Sequence, residues 1–109
     1  GFAESFGAGH IGLGIHTKPL YPDTSSQYAE ALRTTIAVAS KSTPSLWLWT
    51  PIIHFSKVRI LQECIDLEVP LKFTWACYFS NDKPSGTCPS CINRAKAFAA
   101  INMKDPLLC

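Results

Sequence analysis

The chain has 109 residues, 47% of them apolar and 17% charged, with a formal net charge of +2. That apolar content can offset the ordering entropy of a single domain, which excludes intrinsic disorder. The ten basic residues are scattered among eight acidic ones, which argues against nucleic acid as a partner, and no apolar run reaches the ~20 residues of a membrane span.

In chain order, Phe2 to Ala8 reads as the end of a helix closed by glycine, followed by a strand-length apolar run from His10 to His16. A rigid loop with two prolines spans Lys18 to Asp23. Thr24, Ser25 and Ser26 then offer N-caps to a helix over Gln27–Ala39, whose stripe is Tyr28, Leu32, Ile36 and Ala39. Lys41 to Pro44 breaks that helix, and Leu46–Trp49 reads as a strand. Ser56 caps a second helix over Lys57–Glu68, with Ile60, Leu61, Cys64 and Ile65 on one face and Pro70 beyond its end. Leu71 to Trp75 is extended, Ser80 to Thr87 is a loop, and a last helix runs from Pro89 to near Met103. Trp47, Trp49 and Trp75 read as core residues, with Trp47 and Trp49 also able to cover an interface. Strand and helix alternate, so the expected class is α/β with a thin parallel sheet of two or three strands. The expected organisation is a single domain with an α/β part over 1–70 and a cysteine knuckle with its helix over 71–109. A sheet this thin predicts a homo-oligomer or a piece of a larger fold.

Five cysteines are many for this length. The chain opens Gly1-Phe2-Ala3-Glu4 with no basic leader, so a cytoplasmic, reducing location is expected. There, Cys77 with Cys88-Pro89-Ser90-Cys91 reads as a metal site, because Cys-x2-Cys sets two thiolates about 3.5–4 Å apart around a tetrahedral ion and zinc suits sulfur. Three sulfurs leave a fourth position to Ser85, a poor ligand, to Cys109, or to solvent. Cys64 reads as a buried thiol and Arg94 as a cation near the thiolates or a surface ion pair. His54, beside Phe55, reads as a core or edge histidine.

Several motifs fall in one order. Tyr21-Pro22-Asp23 follows a strand; Pro51-Ile52-Ile53 and Lys57 precede Val69-Pro70-Leu71. Thr74-Trp75-Ala76-Cys77-Tyr78, Lys83-Pro84, Gly86, Cys88, Ser90-Cys91, Arg94, Phe98 and Asp105-Pro106 close the set. The stretch from Tyr21 to Pro106 thereby resembles the C-terminal half of the 7-cyano-7-deazaguanine synthases. The resemblance implies a Rossmann-like fold of the adenine-nucleotide α-hydrolase kind and a structural zinc held by four cysteines near the substrate pocket. It implies homodimers, and a carbon–nitrogen ligase that uses ATP, with magnesium, and ammonia to turn 7-carboxy-7-deazaguanine into its nitrile. It also implies that Tyr21, Asp23 and Lys57 contact a 7-deazapurine substrate.

The departures from that pattern are specific. The family's Ser-Gly-Gly-x-Asp-Ser pyrophosphate loop is not among these residues, Ser85 stands at the second of its four zinc cysteines, Thr24-Ser25 replaces Cys-Arg, and His54 replaces Asp. The expectation is therefore a partial synthase, inactive alone unless the nucleotide-binding part is supplied. The alternative is a stand-alone zinc-knuckle module for binding or interaction, without catalysis.

Overall fold

The computed structural model describes residues 1–17, 21–41 and 46–108. In order, its elements are helix α1 (Phe2–Ser5), strand β1 (His10–Gly12), helix α2 (Ser26–Ala39), strand β2 (Trp47–Trp49), helix α3 (Lys57–Asp66) and helix α4 (Pro89–Ala100). Short 3₁₀ turns lie at Pro22–Thr24 and Leu71–Phe73. The fold is mixed α/β, as the alternation predicts. The described residues group into two compact units, Gly1–Phe55 and the segment from Ser56 onward. Expectations for Lys18–Leu20, for the helix breaker at Ser42–Pro44 and for Cys109 lie outside the described residues.

In the first unit, α1 is one turn closed by Gly7, whose φ of +66° is a conformation open mainly to glycine. β1 and β2 pair in parallel, with Ile11 opposite Leu48 and Gly12 opposite Trp49. Parallel strands need a crossover, and α2 supplies it. The expected run from His10 to His16 shortens to three residues, although Leu13 N–H still donates to Trp49 O at 2.8 Å and Thr17 N–H to Ile53 O at 2.7 Å. Ser25 is the cap of α2, its Oγ accepting from Tyr28 N–H at 3.1 Å. Arg33 fastens α2 to β2, with Nε donating to Leu48 O at 3.3 Å and a terminal N–H donating to Thr50 Oγ1 at 3.0 Å. The inward face of α2 is Ala29, Leu32 and Ile36. Tyr28 and Ala39 are exposed, so the expected stripe is rotated about the helix axis.

The tryptophans are not core. Leu48 is 2% exposed, while Trp47 and Trp49 on either side of it are each 57% exposed, and Trp75 is 43% exposed. Two strands and one covering helix give only one buried side to the sheet, so alternate side chains of β2 stay in water.

The second unit closes on itself. Ser56 Oγ caps α3 by accepting from Arg59 N–H at 3.1 Å. Leu61 on α3 packs with Ala97 and Phe98 on α4, flanked by Val58, Ile65, Leu71 and Ile101. Each large apolar side chain so buried contributes about 1.5–3 kcal/mol. Both helices end on a left-handed residue other than glycine: Glu68 at φ 54° after α3 and Asn102 at φ 55° after α4. Their following amides turn back to cap the last carbonyls, Val69 N–H to Cys64 O at 2.8 Å and Met103 N–H to Phe98 O at 3.0 Å. Leu71–Phe73, expected to be extended, is a 3₁₀ turn; a fixed φ at Pro70 and the bond from Phe73 N–H to Pro70 O at 2.9 Å favour the turn.

Candidate metal centre

The loop from Cys77 to Cys88 returns to the start of α4. Gly86, at φ +71°, makes the reversal that a side-chain-bearing residue would resist. Pro89 occupies the first turn of α4, where its missing N–H costs nothing and its φ suits a helix. Cys88 is then the N-cap, and its sulfur does what a serine oxygen usually does, accepting from Cys91 N–H at 3.3 Å. One turn of helix thus brings the sulfurs of Cys88 and Cys91 to the same side, and the preceding loop lays Cys77 against them.

The three ligand atoms lie within 4.8 Å of one another, and all three residues are buried. Cys77 Sγ accepts from the amides of Phe79 and Ser85, each at 3.4 Å. Ser85 Oγ lies 3.4 Å from Cys77 Sγ and 4.0 Å from Cys91 Sγ. These donors favour negative sulfur. The hydroxyl and amide of Ser85, helped by Phe79 N–H and Cys91 and opposed by burial, pull the Cys77 thiol down to about 6. The Tyr78 amide lowers the Cys88 thiol against the opposing effect of burial, with the Cys91 amide adding to it. Burial, together with its contact to Cys88, pushes Cys91 up. A soft divalent ion fits this donor set, because it would meet Cys77 and Cys88 sulfurs already eased toward ionisation and backbone N–H groups turned to the sulfurs rather than competing carbonyls.

Of the two roles expected of Arg94, the structure shows the ion pair, buried rather than at the surface. Its guanidinium clamps Asp105 in a two-bond fork, with one bond of 2.8 Å to Oδ1 and Nε bonded to Oδ2. It also donates to Thr74 O at 3.1 Å, to Thr74 Oγ1 at 2.7 Å and to Leu71 O at 3.2 Å. The Arg94 side chain is 13% exposed and that of Asp105 4%. Burial alone would raise the Asp105 carboxyl, but hydrogen bonds from Arg94 and the Leu107 amide and the charge of Arg94 outweigh it and hold it below its usual range. Arg94 therefore ties α4 to both flanking segments, and its planar fork suits that task better than lysine.

A cleft of about 220 Å³ opens in the second unit, lined by Lys57, Cys64, Thr74, Trp75, Ala76 and Arg94 over a floor that includes Leu61 and Phe98. Lys57, the first residue of α3, is exposed at its edge. Cys64 is half-buried there rather than sealed in the core. Tyr21 and Asp23 belong to the first unit, on the exposed 3₁₀ turn, where Tyr21 O accepts from Thr24 Oγ1 at 2.8 Å. His54 is exposed. The sequence reading missed Trp75 as a cleft wall, because an indole among apolar residues carries no mark of exposure.

Comparison with known proteins decides the family. The family model described as "Queuosine biosynthesis protein QueC" matches residues 1–102. The chain belongs to the QueC family. That match spans every element from α1 to α4 and includes Cys77, Cys88 and Cys91. A protein of Methanosarcina mazei named 7-cyano-7-deazaguanine synthase is 33% identical over 109 residues, which is 98% of this chain and 46% of that relative. Proteins of the same name from Methanoculleus marisnigri and Aliarcobacter butzleri are each 34% identical, over 96% and 95% of this chain and 48% and 46% of their own lengths. The QueC-family chain thus spans about half the length of the curated relatives it matches. Among the described residues, no helix is long and apolar enough to cross a membrane.

Proposed function

We propose that the chain is the metal-holding part of a 7-cyano-7-deazaguanine synthase, an ATP-dependent ligase that converts the carboxylate of 7-carboxy-7-deazaguanine and ammonia to the nitrile. The observation that carries this reading is the buried cluster of Cys77, Cys88 and Cys91 inside the QueC-matched span. In this reading the cluster holds zinc, whose contribution is structural: it pins the loop after Trp75 to the start of α4. ATP and magnesium would bind to the half of the relatives that this chain does not match, and the working form is a homo-oligomer in the cytoplasm.

The cleft supports a flat, anionic heterocycle as ligand. The Trp75 indole offers a face for a bicyclic ring, and Lys57 offers an ammonium for a carboxylate. Because the cluster and the α3–α4 core lie wholly within the second unit, a non-catalytic binding module is the second reading.

The test combines elemental mass spectrometry with calorimetric titration of 7-carboxy-7-deazaguanine into the chain. About one zinc per chain is expected under this reading. Heterocycle binding should weaken on the order of tenfold in Lys57→Ala and in Trp75→Ala, since each removes one anchoring contact. Nitrile formation from ATP and ammonia, followed by mass spectrometry, should require addition of the unmatched half of a relative. Zinc without heterocycle binding would favour the binding module, and absence of both would sink the synthase reading.

A further inference from the structure

Ser85 lies against two of the three sulfurs of the cysteine cluster. Ser85 Oγ lies 3.4 Å from Cys77 Sγ and 4.0 Å from Cys91 Sγ, on the loop that also supplies an N–H to Cys77. That oxygen is held in place by Thr87 N–H at 3.3 Å and Cys88 N–H at 3.4 Å, and since a hydroxyl has two lone pairs, one of these long bonds must yield for it to bind a metal. The same Gly86 reversal that returns the chain to α4 aims both amides at the hydroxyl. Among the described residues, the remaining cysteine is Cys64, which lines the cleft and is not part of the three-cysteine group.

We propose that this chain holds its metal in a three-sulfur, one-oxygen centre, with the Ser85 hydroxyl as the fourth donor and the oxygen corner exchangeable. The inference rests on the metal reading above and goes beyond it. A neutral hydroxyl is a weaker and harder donor to a soft ion than thiolate, so it is the ligand that leaves first. Three thiolates around a divalent cation leave one net negative charge, where four would leave two. Arg94 is committed to Asp105, so the lower charge also asks less of the surroundings. The exchangeable corner would admit a small thiolate, which brings both the charge and the softness that the hydroxyl lacks.

Cobalt(II) titration of the full chain reads this directly, because sulfur-to-cobalt charge-transfer absorbance grows with each thiolate bound. The wild type should show the intensity of three thiolates, and a small thiol such as 2-mercaptoethanol should raise it to four. Ser85→Cys should show four at the outset, ignore the added thiol, and release zinc to a chelator on the order of 10–100-fold more slowly. Ser85→Ala should bind on the order of tenfold more weakly than wild type. Four thiolates in the wild type would overturn the inference and leave the metal reading standing. Affinity unchanged in Ser85→Ala would remove Ser85 from the centre. No metal bound by either wild type or Ser85→Cys would overturn the metal reading and this inference with it.

Discussion

The two units of this chain use similar local grammar to different ends. Each begins a helix with a serine cap, Ser25 for α2 and Ser56 for α3, and the two caps have the same 3.1 Å geometry. Beyond the caps they diverge. The second unit has partners for its inward side chains within a few dozen residues: Leu61 meets Ala97 and Phe98, Arg94 meets Asp105, and three cysteines meet one another. The first unit has two three-residue strands and one helix over them. Both units leave large apolar side chains in water, Phe2, Phe6, Val38, Trp47 and Trp49 in the first and Leu67, Phe73, Tyr78 and Phe79 in the second, but the first buries fewer. A closed core needs two faces that complete each other within the same stretch of chain. A sheet of two strands lacks one.

The sharpest break in this comparison is Arg94→Ala. It leaves Asp105 buried with its charge unmatched and frees Thr74 and Leu71, so a loss of about 3–5 kcal/mol is expected in chemical denaturation. Amide exchange should rise across α3 and α4 and stay unchanged in α2. Loss of protection in both units together would show that they unfold as one.

The pH dependence of the second unit sharpens the same point. Asp105 is held below its usual range in the folded chain, so the stabilisation it gives is complete above the unfolded carboxyl value of about 4. It is lost as pH falls through the lower folded value. Thermal melts followed between neutral and strongly acidic pH should therefore fall more steeply for wild type than for Asp105→Asn, which has no such proton to take up.

Next in size are the leucines. Leu61→Ala and Leu48→Ala both truncate buried side chains, and about 2–5 kcal/mol is expected of such changes. Leu61 should fall toward the upper end, because the atoms around it come from two helices. Leu48, in a thin sheet that can collapse around the gap, should fall toward the lower end. Equal losses by urea titration would contradict the contrast drawn between the units.

Smaller effects test where the units are alike. Ser25→Ala and Ser56→Ala should each cost about 1 kcal/mol, since each removes one side-chain acceptor at a helix start. Trp47→Ala should cost least. The ring is more than half exposed, and its specific contact is the Arg33 guanidinium 5.9 Å from its centroid, so about 0.5–1 kcal/mol is expected. A much larger loss would mean that Trp47 is covered in solution.

Much of this was legible beforehand where the cause is local. Cys77, Cys88 and Cys91 could be grouped from spacing alone, because Cys-x2-Cys at a helix start has few other shapes and Pro89 marks that start. The helices over α2, α3 and α4 were legible from their caps and apolar periods. Their ends were misplaced by two or three residues at α3 and α4, because Glu68 and Asn102 take left-handed turns where glycine would be the usual signal. Ser85 was legible as a candidate for the fourth position, though a poor one, but its closeness to two of the sulfurs was not. Its place depends on the reversal at Gly86 and on two amides that no spacing rule reports.

The sequence by itself determined the α/β class, the order of its elements, the capped helices and the grouping of Cys77, Cys88 and Cys91. Those follow from periodicity, capping and side-chain chemistry, which act over a few residues. The tertiary structure alone decided that Trp47, Trp49 and Trp75 face water and that Arg94 pairs with a buried Asp105. Each of these depends on what lies across from a side chain, and for residues 11 or more apart along the chain, such as Arg94 and Asp105, only the fold supplies that neighbour.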